Sequence, residues 1–367
     1  MSRVSTIYTL LLATLALVQV QVVLGITDPV DVFTAGTNGV ADFRIPSLVA
    51  TGKGTLIAFA EARLQSSSDC KSKYIAARRS VDNGTTWGPL VPVFGNKLPT
   101  DETAGNPTVV FDVQTGRIVV LFMIGDAKHC NPGLSIMILD DDGSDGITWS
   151  TPRNISASLG AYAGALPGPG TAAQLPLSSA WPGRIIFPAH LGAYVSDAVA
   201  YSDDGGDSWS LSETVFPKMD ESVIAALPNG SLILNMRNNR LSACKCRAIS
   251  RSEDGGKTWT PITFDATLIE PVCQASLVEI GNSLYFSNPA STTGRANITV
   301  RKSNDGGASW QNPGFLVNAP VSDGYTCMAS GWAIVDPSSG VNDLYGGILY
   351  ESSTNAVATI AFRTFPL

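Results

Sequence analysis

Beyond about Gly25 the chain shows no sustained helical spacing of apolar positions. Short apolar runs recur instead between turn residues: Gly116–Phe122, Leu134–Leu139, Gly183–Pro188, Ser231–Met236, Ser283–Ser287 and Gly347–Tyr350. Runs of about four to eight such residues, bounded by Gly, Pro, Asn, Asp or Ser, predict β-strands. The pattern therefore predicts an all-β protein. With 35 glycines and 22 prolines the chain is rich in tight turns, and at 15% charged residues it is too sparsely charged to cover long exposed helices.

The first segment follows a different pattern. Arg3 precedes an apolar run from Leu10 to Val23, and the small or short residues Val23 and Gly25 sit where a signal peptidase would cut. Residues 1–25 are expected to be a secretory signal peptide, because the run is short for a span and turn-rich polar sequence follows it. An uncleaved N-terminal anchor is the alternative. No later run approaches about 18 apolar residues, so the mature chain is expected to lack a membrane span and to be secreted.

Along the mature chain a single pattern repeats. Ser80, Asp82, Gly84 and Trp87 fit S-x-D-x-G-x-x-W, as do Ser202 to Trp209, Ser252 to Trp259 and Ser303 to Trp310. A decayed copy runs from Asp142 to Trp149 and keeps Gly146 and the tryptophan. Five of the seven tryptophans belong to this series, spaced by 62, 60, 50 and 51 positions, which makes chance a poor explanation. An Asp that bonds amides of its own turn and a Gly that takes positive φ predict a hairpin turn, with the Trp ring packed on the unit. A unit of about 50 residues has room for a four-stranded sheet with its loops, a propeller blade.

The eight-residue pattern resembles the Asp-box of sialidases and related propellers, where it joins the third and fourth strands of a blade on the side away from the active site. None of its aspartates is therefore assigned to catalysis. Phe43-Arg44-Ile45-Pro46 resembles the FRIP motif of the same family and lies one blade-length before the first Asp-box. The resemblance spans essentially the whole mature chain, and it implies one six-bladed β-propeller from about Ile26 to Leu367.

What it implies for the site follows residue by residue. Arg44 is the first of three arginines that bind a substrate carboxylate. Asp69, the only acidic residue in the loop Gln65 to Lys73, is the acid/base that protonates the leaving oxygen and then activates water. Cys70 stands after it, where many relatives carry another residue. Glu221 begins a strand and Arg237 ends the next, joined through the hairpin turn Asn229-Gly230. Glu221 is then the base for a tyrosine and Arg237 the second carboxylate ligand, with Arg240 as its rival. Arg295 is the third arginine, preferred to Arg301, which lies in the strand leading to Ser303. Gly324-Tyr325-Thr326 occupies the place of the nucleophile segment, and Leu349-Tyr350-Glu351 resembles the late LYE motif. Tyr325 is the nucleophile, with Tyr350 the alternative, and Glu351 holds Arg44.

The chemistry suits these residue types. Sialic acid carries a carboxylate on its anomeric carbon, and guanidinium groups match a planar carboxylate bidentately without losing their charge. The same carboxylate repels an approaching Asp or Glu, whereas a neutral tyrosine avoids that repulsion; sialidases are a recognised exception among glycoside hydrolases in using one. The ordinary alternatives are a surface arginine at Arg44, a solvated loop aspartate at Asp69 and a core tyrosine at Tyr325.

The resemblance implies a retaining exo-α-sialidase acting on sialylated glycoproteins, glycolipids or oligosaccharides, with no cofactor and no metal. A trans-sialidase or a hydrolase of deaminated sialic acid would keep the same seven residues; a non-catalytic Asp-box propeller would lack some of them. The net charge of −7, with no basic run, argues against a nucleic-acid partner. Only His129 and His190 are present and no Cys/His spacing surrounds them, which excludes a zinc site of that kind. The six cysteines allow 15 pairings, and Asn83, Asn154, Asn229 and Asn297 lie in glycosylation sequons.

Overall fold

The computed structural model describes residues 28–96, 102–127, 131–159, 165–192, 194–239, 244–318, 324–335, 344–353 and 358–367. The expected signal peptide lies outside the described residues. Six sheets follow one another along the chain and form a six-bladed propeller, as the resemblance implied; all pairings are antiparallel except that of Gly170–Thr171 with Thr108–Val109 in the second.

Blade I contains strands Asp42–Ala50, Leu56–Arg63, Lys73–Ser80 and Val91–Phe94, from the axis outward. Blade II contains Glu102–Asp112, Arg117–Asp126, Asn131–Asp140 and Arg153–Asn154. Blade III has two short inner strands, Leu166–Pro167 and Ala173–Gln174, against Ile185–Leu191, Ser196–Ser202 and outer pieces at Ser210–Leu211 and Phe216–Pro217. Blade IV contains Asp220–Ala226, Leu232–Arg237, Cys246–Ser252 and Thr263–Ile269, and blade V Ser276–Ile280, Ser283–Pro289, Ile298–Ser303 and Phe315–Asn318. Blade VI takes Thr326–Met328, Leu344–Ser352 and Thr359–Pro366, and its fourth strand is Val30–Thr34 from the other end of the chain. Val30 pairs with Phe362, so the ring closes through β-hydrogen bonds between the two ends of the fold.

The strands are apolar on both faces because each blade packs between two neighbours. In blade I, Leu56 and Ala58 face blade VI, joining Leu349 and Phe362, while Ile57 and Phe59 face blade II, joining Val120 and Phe122. Leu232 and Leu234 likewise pack toward blade III while Ile233 packs toward blade V. Burying each such side chain contributes about 1.5–3 kcal/mol. This two-sided burial explains why the runs are continuously apolar instead of alternating.

The Asp-boxes form the predicted turns. In the first, the Ser80 hydroxyl donates to Asp82 Oδ1 (2.7 Å), Asp82 accepts from Thr86 N (2.9 Å), and Trp87 Nε1 donates to the Gly84 carbonyl (3.2 Å). The decayed copy keeps the turn by substitution: Asp141 replaces the serine as acceptor for Gly146 N (3.0 Å). The box glycines also seat each blade on the one before it. Gly256 has φ +89°, and a Cβ there would lie 2.4 Å from Ile186 Cδ1 of blade III; at Gly84 it would lie 2.0 Å from the Phe362 ring of blade VI. Both conformation and space therefore demand glycine.

Candidate active site

Strand direction sorts the two ends of the molecule. Asp-boxes occupy the turns between third and fourth strands at one end. The first residues of inner strands, the last residues of second strands and the loops between second and third strands gather at the other. Arg44 and Glu221 stand near the starts of inner strands, Arg237 and Glu351 at the ends of second strands, Asp69 and Arg295 in second-to-third loops, and Tyr325 just before the inner strand of blade VI. All seven residues proposed from the sequence thus lie at the end opposite the Asp-boxes.

β-Bulges interrupt the inner strands at this end. The register shifts between Arg44 and Ser47, between Gly105 and Thr108, and between Asp220 and Val223. Ile45 sits in the first of these bulges at φ 62°, a left-handed conformation that costs a β-branched residue about 1–3 kcal/mol. Its amide donates to Glu351 Oε1 (3.0 Å) beside the Arg44 guanidinium, so the strained backbone is held by the site itself.

The arginines converge on Tyr325. The guanidinium carbons of Arg44 and Arg295 lie 5.3 Å and 5.4 Å from its ring centroid. Arg237 donates through Nη1 to Glu221 Oε2, and the Tyr325 hydroxyl donates to Glu221 Oε1. Glu351 grips Arg44 with both oxygens, at 2.7 and 3.0 Å, and accepts the Tyr325 amide at 3.1 Å. Burial works to lower the affinity of Arg44 and Arg237 for their protons, but Glu351 beside the first and Glu221 beside the second raise it above the ordinary value. Burial, then the charge of Glu221, pushes the Tyr325 phenol well above its ordinary value despite Arg237. The neutral phenol thus keeps its proton in the hydrogen bond to Glu221.

Gly324 sets the spacing beneath Arg295. Its φ is +104°, and a Cβ would lie 2.8 Å from Arg295 Cδ and 2.9 Å from the Cys273 sulfur. Gln274 holds the next residue from below, donating to the Thr326 carbonyl (3.0 Å) and accepting its amide (2.9 Å).

These groups enclose a cavity of about 600 Å³ whose lining includes Asp69, Glu221, Arg237, Arg295 and Tyr325. A cavity of similar size, about 610 Å³, opens at the Asp-box end, but Glu279 is the only ionisable residue among the described residues that line it. Chemistry therefore belongs to the first. At its rim the Asp69 side chain is 77% exposed and pairs with Arg63 Nη2 at 2.6 Å. Arg63 is itself fully buried, bonded to Glu61 Oε2 at 2.7 Å, and Lys73 reaches the same oxygen at 3.1 Å. Against burial, Lys73 and Arg63 hold the Glu61 carboxyl down at about 2. The loop after Asp69 is anchored through Cys70, which is disulfide-bonded.

Sequence reasoning missed several lining or supporting residues: Glu61, Arg63, Lys73, Asn106, Tyr194, Asp220 and His190. The signal for Arg63 was its place at the end of an otherwise apolar strand, and for His190 its isolation in the run Ile185–Leu191. The two rivals drop away from the cavity or from description. Tyr350 packs in the core between blades V and VI, and Arg301, 6% exposed, lies on the third strand of blade V. Arg240 lies outside the described residues. Among the cysteines, Cys244 bonds Cys246, while Cys273 and Cys327 keep buried thiols. Among the described residues no cluster of His, Cys, Asp and Glu has the form of a metal site, and no helix is long and apolar enough to cross a membrane.

Comparison with known proteins identifies the family. The BNR repeat-like domain family matches residues 54–334. A sialidase of Bacteroides fragilis is 32% identical over 91% of this chain and 63% of its own length. This chain belongs to the sialidase family with BNR repeat-like domains. A second sialidase, from Micromonospora viridifaciens, is 28% identical over 88% of this chain and 52% of its own length. The chain thus spans between half and two thirds of these curated relatives. Among solved structures, the Hadza microbial sialidase Hz136 superposes with a TM-score of 0.79 at 30% identity, covering 92% of this chain and 68% of that one.

Proposed function

We propose that the protein is a retaining exo-α-sialidase that releases terminal sialic acid from glycoconjugates through a covalent tyrosyl intermediate. The observation that carries this reading is the Tyr325–Glu221–Arg237 chain of hydrogen bonds, with Arg44 and Arg295 over the same phenol ring.

In this reading Arg44, Arg237 and Arg295 grip the substrate carboxylate and place the anomeric carbon over the Tyr325 oxygen. Asp69 gives a proton to the glycosidic oxygen as the bond to the leaving group breaks. Tyr325 forms its bond to the anomeric carbon while its proton passes to Glu221. In the second half-reaction Asp69 takes a proton from water, which attacks the anomeric carbon, and Glu221 returns its proton to the departing phenolate. Two inversions give net retention. The family membership supports sialylated substrates, and the disulfides at Cys70 and Cys244–Cys246 support a secreted protein made in an oxidising compartment.

The test is to follow the first-formed anomer of the released sugar by NMR with a simple aryl sialoside. The α-anomer should appear first. An initial β-anomer would rule out the tyrosyl intermediate, and absence of any release would rule out the activity.

A further inference from the structure

Beneath the Tyr325–Glu221 pair lies a second buried layer of charge. His190, on the second strand of blade III, is 0% exposed. Its Nδ1 lies 2.7 Å from Asp197 Oδ1 and 3.7 Å from Asp220 Oδ1. Asp197 is its direct cross-strand partner, and the second Asp197 oxygen accepts the Ser222 hydroxyl. Asp220 accepts the Glu221 amide at 2.8 Å and Asn239 Nδ2 at 3.0 Å, and stands 3.8 Å from Arg237 Nε. Asp220 and Ser222 are the two residues that flank Glu221. Both neighbours of the catalytic base are thus tied to the same pair of blade III side chains.

Asp197, Asp220 and Glu221 place three buried carboxylates within reach of one imidazole and one guanidinium, and a charged imidazole offsets their mutual repulsion. We propose that His190 is a positioning residue, an imidazolium at neutral pH whose Nδ1 bonds Asp197 and faces Asp220, and which thereby fixes Glu221 between Tyr325 and Arg237. This deepens the sialidase reading and rests on it for the role of Glu221.

The groups facing His190 come from several elements. Asp197 stands on the third strand of blade III, and Asp220 and Glu221 on the inner strand of blade IV, with Arg237 reached through Asp220. The Tyr194 ring lies 5.6 Å away, and the short strand Leu166–Pro167 paired to His190 carries no titratable side chain. Burial by itself would strip the proton from His190. Asp197, by charge and hydrogen bond, and then Asp220 and Glu221 reverse that and hold the imidazolium to about pH 9.

The chain has only two histidines, which makes the test direct. In a His129→Asn protein, ¹⁵N NMR of the one remaining imidazole should show both nitrogens protonated at pH 7.5, with a midpoint near 9. A neutral ring at pH 7.5 overturns the proposal. This arm needs no substrate, so it stands even should the fluorogenic sialoside assay of the unaltered protein show no hydrolysis, which would refute the activity instead. In the activity arm, His190→Gln should lower kcat at least about tenfold while KM changes less than about threefold, the pattern of a disturbed chemical step. Unchanged kcat overturns the proposal. Should His190→Gln fail to fold, Asp197→Asn in the His129→Asn background must lower the imidazole midpoint by at least about one pH unit; an unchanged midpoint overturns it.

Discussion

Glu351 holds Arg44 with both carboxylate oxygens across 307 positions of sequence, and with the same oxygens it accepts the amides of Ile45 and Tyr325. One side chain from blade VI therefore fixes the Arg44 guanidinium of blade I and the backbone of Tyr325. Glu351 is 1% exposed, so its charge is compensated by these partners and not by solvent.

Glu351→Gln should release both. Breaking one side of a buried ion pair costs about 3–5 kcal/mol, so urea unfolding should show a loss of that order. A carboxylate-bearing sialic acid analogue should bind at least about tenfold more weakly. Wild-type affinity in a folded variant would show that Arg44 keeps its position without the pair.

Tyr325→Phe should leave analogue binding within about threefold and lower kcat at least about a thousandfold. Glu221→Gln removes the acceptor for the same proton. The two residues act as a unit, so the double variant should be little slower than either single one. Multiplying losses, measured as kcat, would separate their roles.

Arg237→Lys keeps the charge and loses the planar fork. Binding of carboxylate ligands should weaken at least about tenfold, read as the inhibition constant of a sialic acid analogue. An unchanged constant would remove Arg237 from the carboxylate site.

Gly256→Ala tests the Asp-box seat between blades III and IV. The left-handed backbone and the 2.4 Å approach to Ile186 Cδ1 should together cost more than about 1 kcal/mol in thermal or urea unfolding. The value of kcat per folded molecule should not change, because the turn lies at the end opposite the cavity.

Stability should fall on both sides of neutrality. Glu61 has its carboxyl lowered from an ordinary 4.5 to about 2, so its contribution is present above 4.5 and lost as pH falls toward 2. His190 is raised from 6.5 to about 9, so its contribution is full below 6.5 and lost as pH rises through 9. Melting temperature against pH checks both signs. Glu61→Gln should flatten the acid side and His190→Gln the alkaline side.

The sequence alone determined what contiguous residues can encode. Each Asp-box turn is closed by hydrogen bonds within about four residues, as from Ser80 to Gly84 and Asp82 to Thr86, so its geometry travels with its letters. Strand runs, the blade repeat and the order of the seven candidate side chains were legible for the same reason. Tertiary structure decided what depends on neighbours from other blades. The pairing of Val30–Thr34 with Thr359–Pro366, the bridge from Glu351 to Arg44, and the His190 layer under Glu221 join positions far apart in the chain. Whether a buried carboxylate or imidazole keeps its charge is set by the groups that ring closure brings within a few ångströms, and no local pattern carries that information.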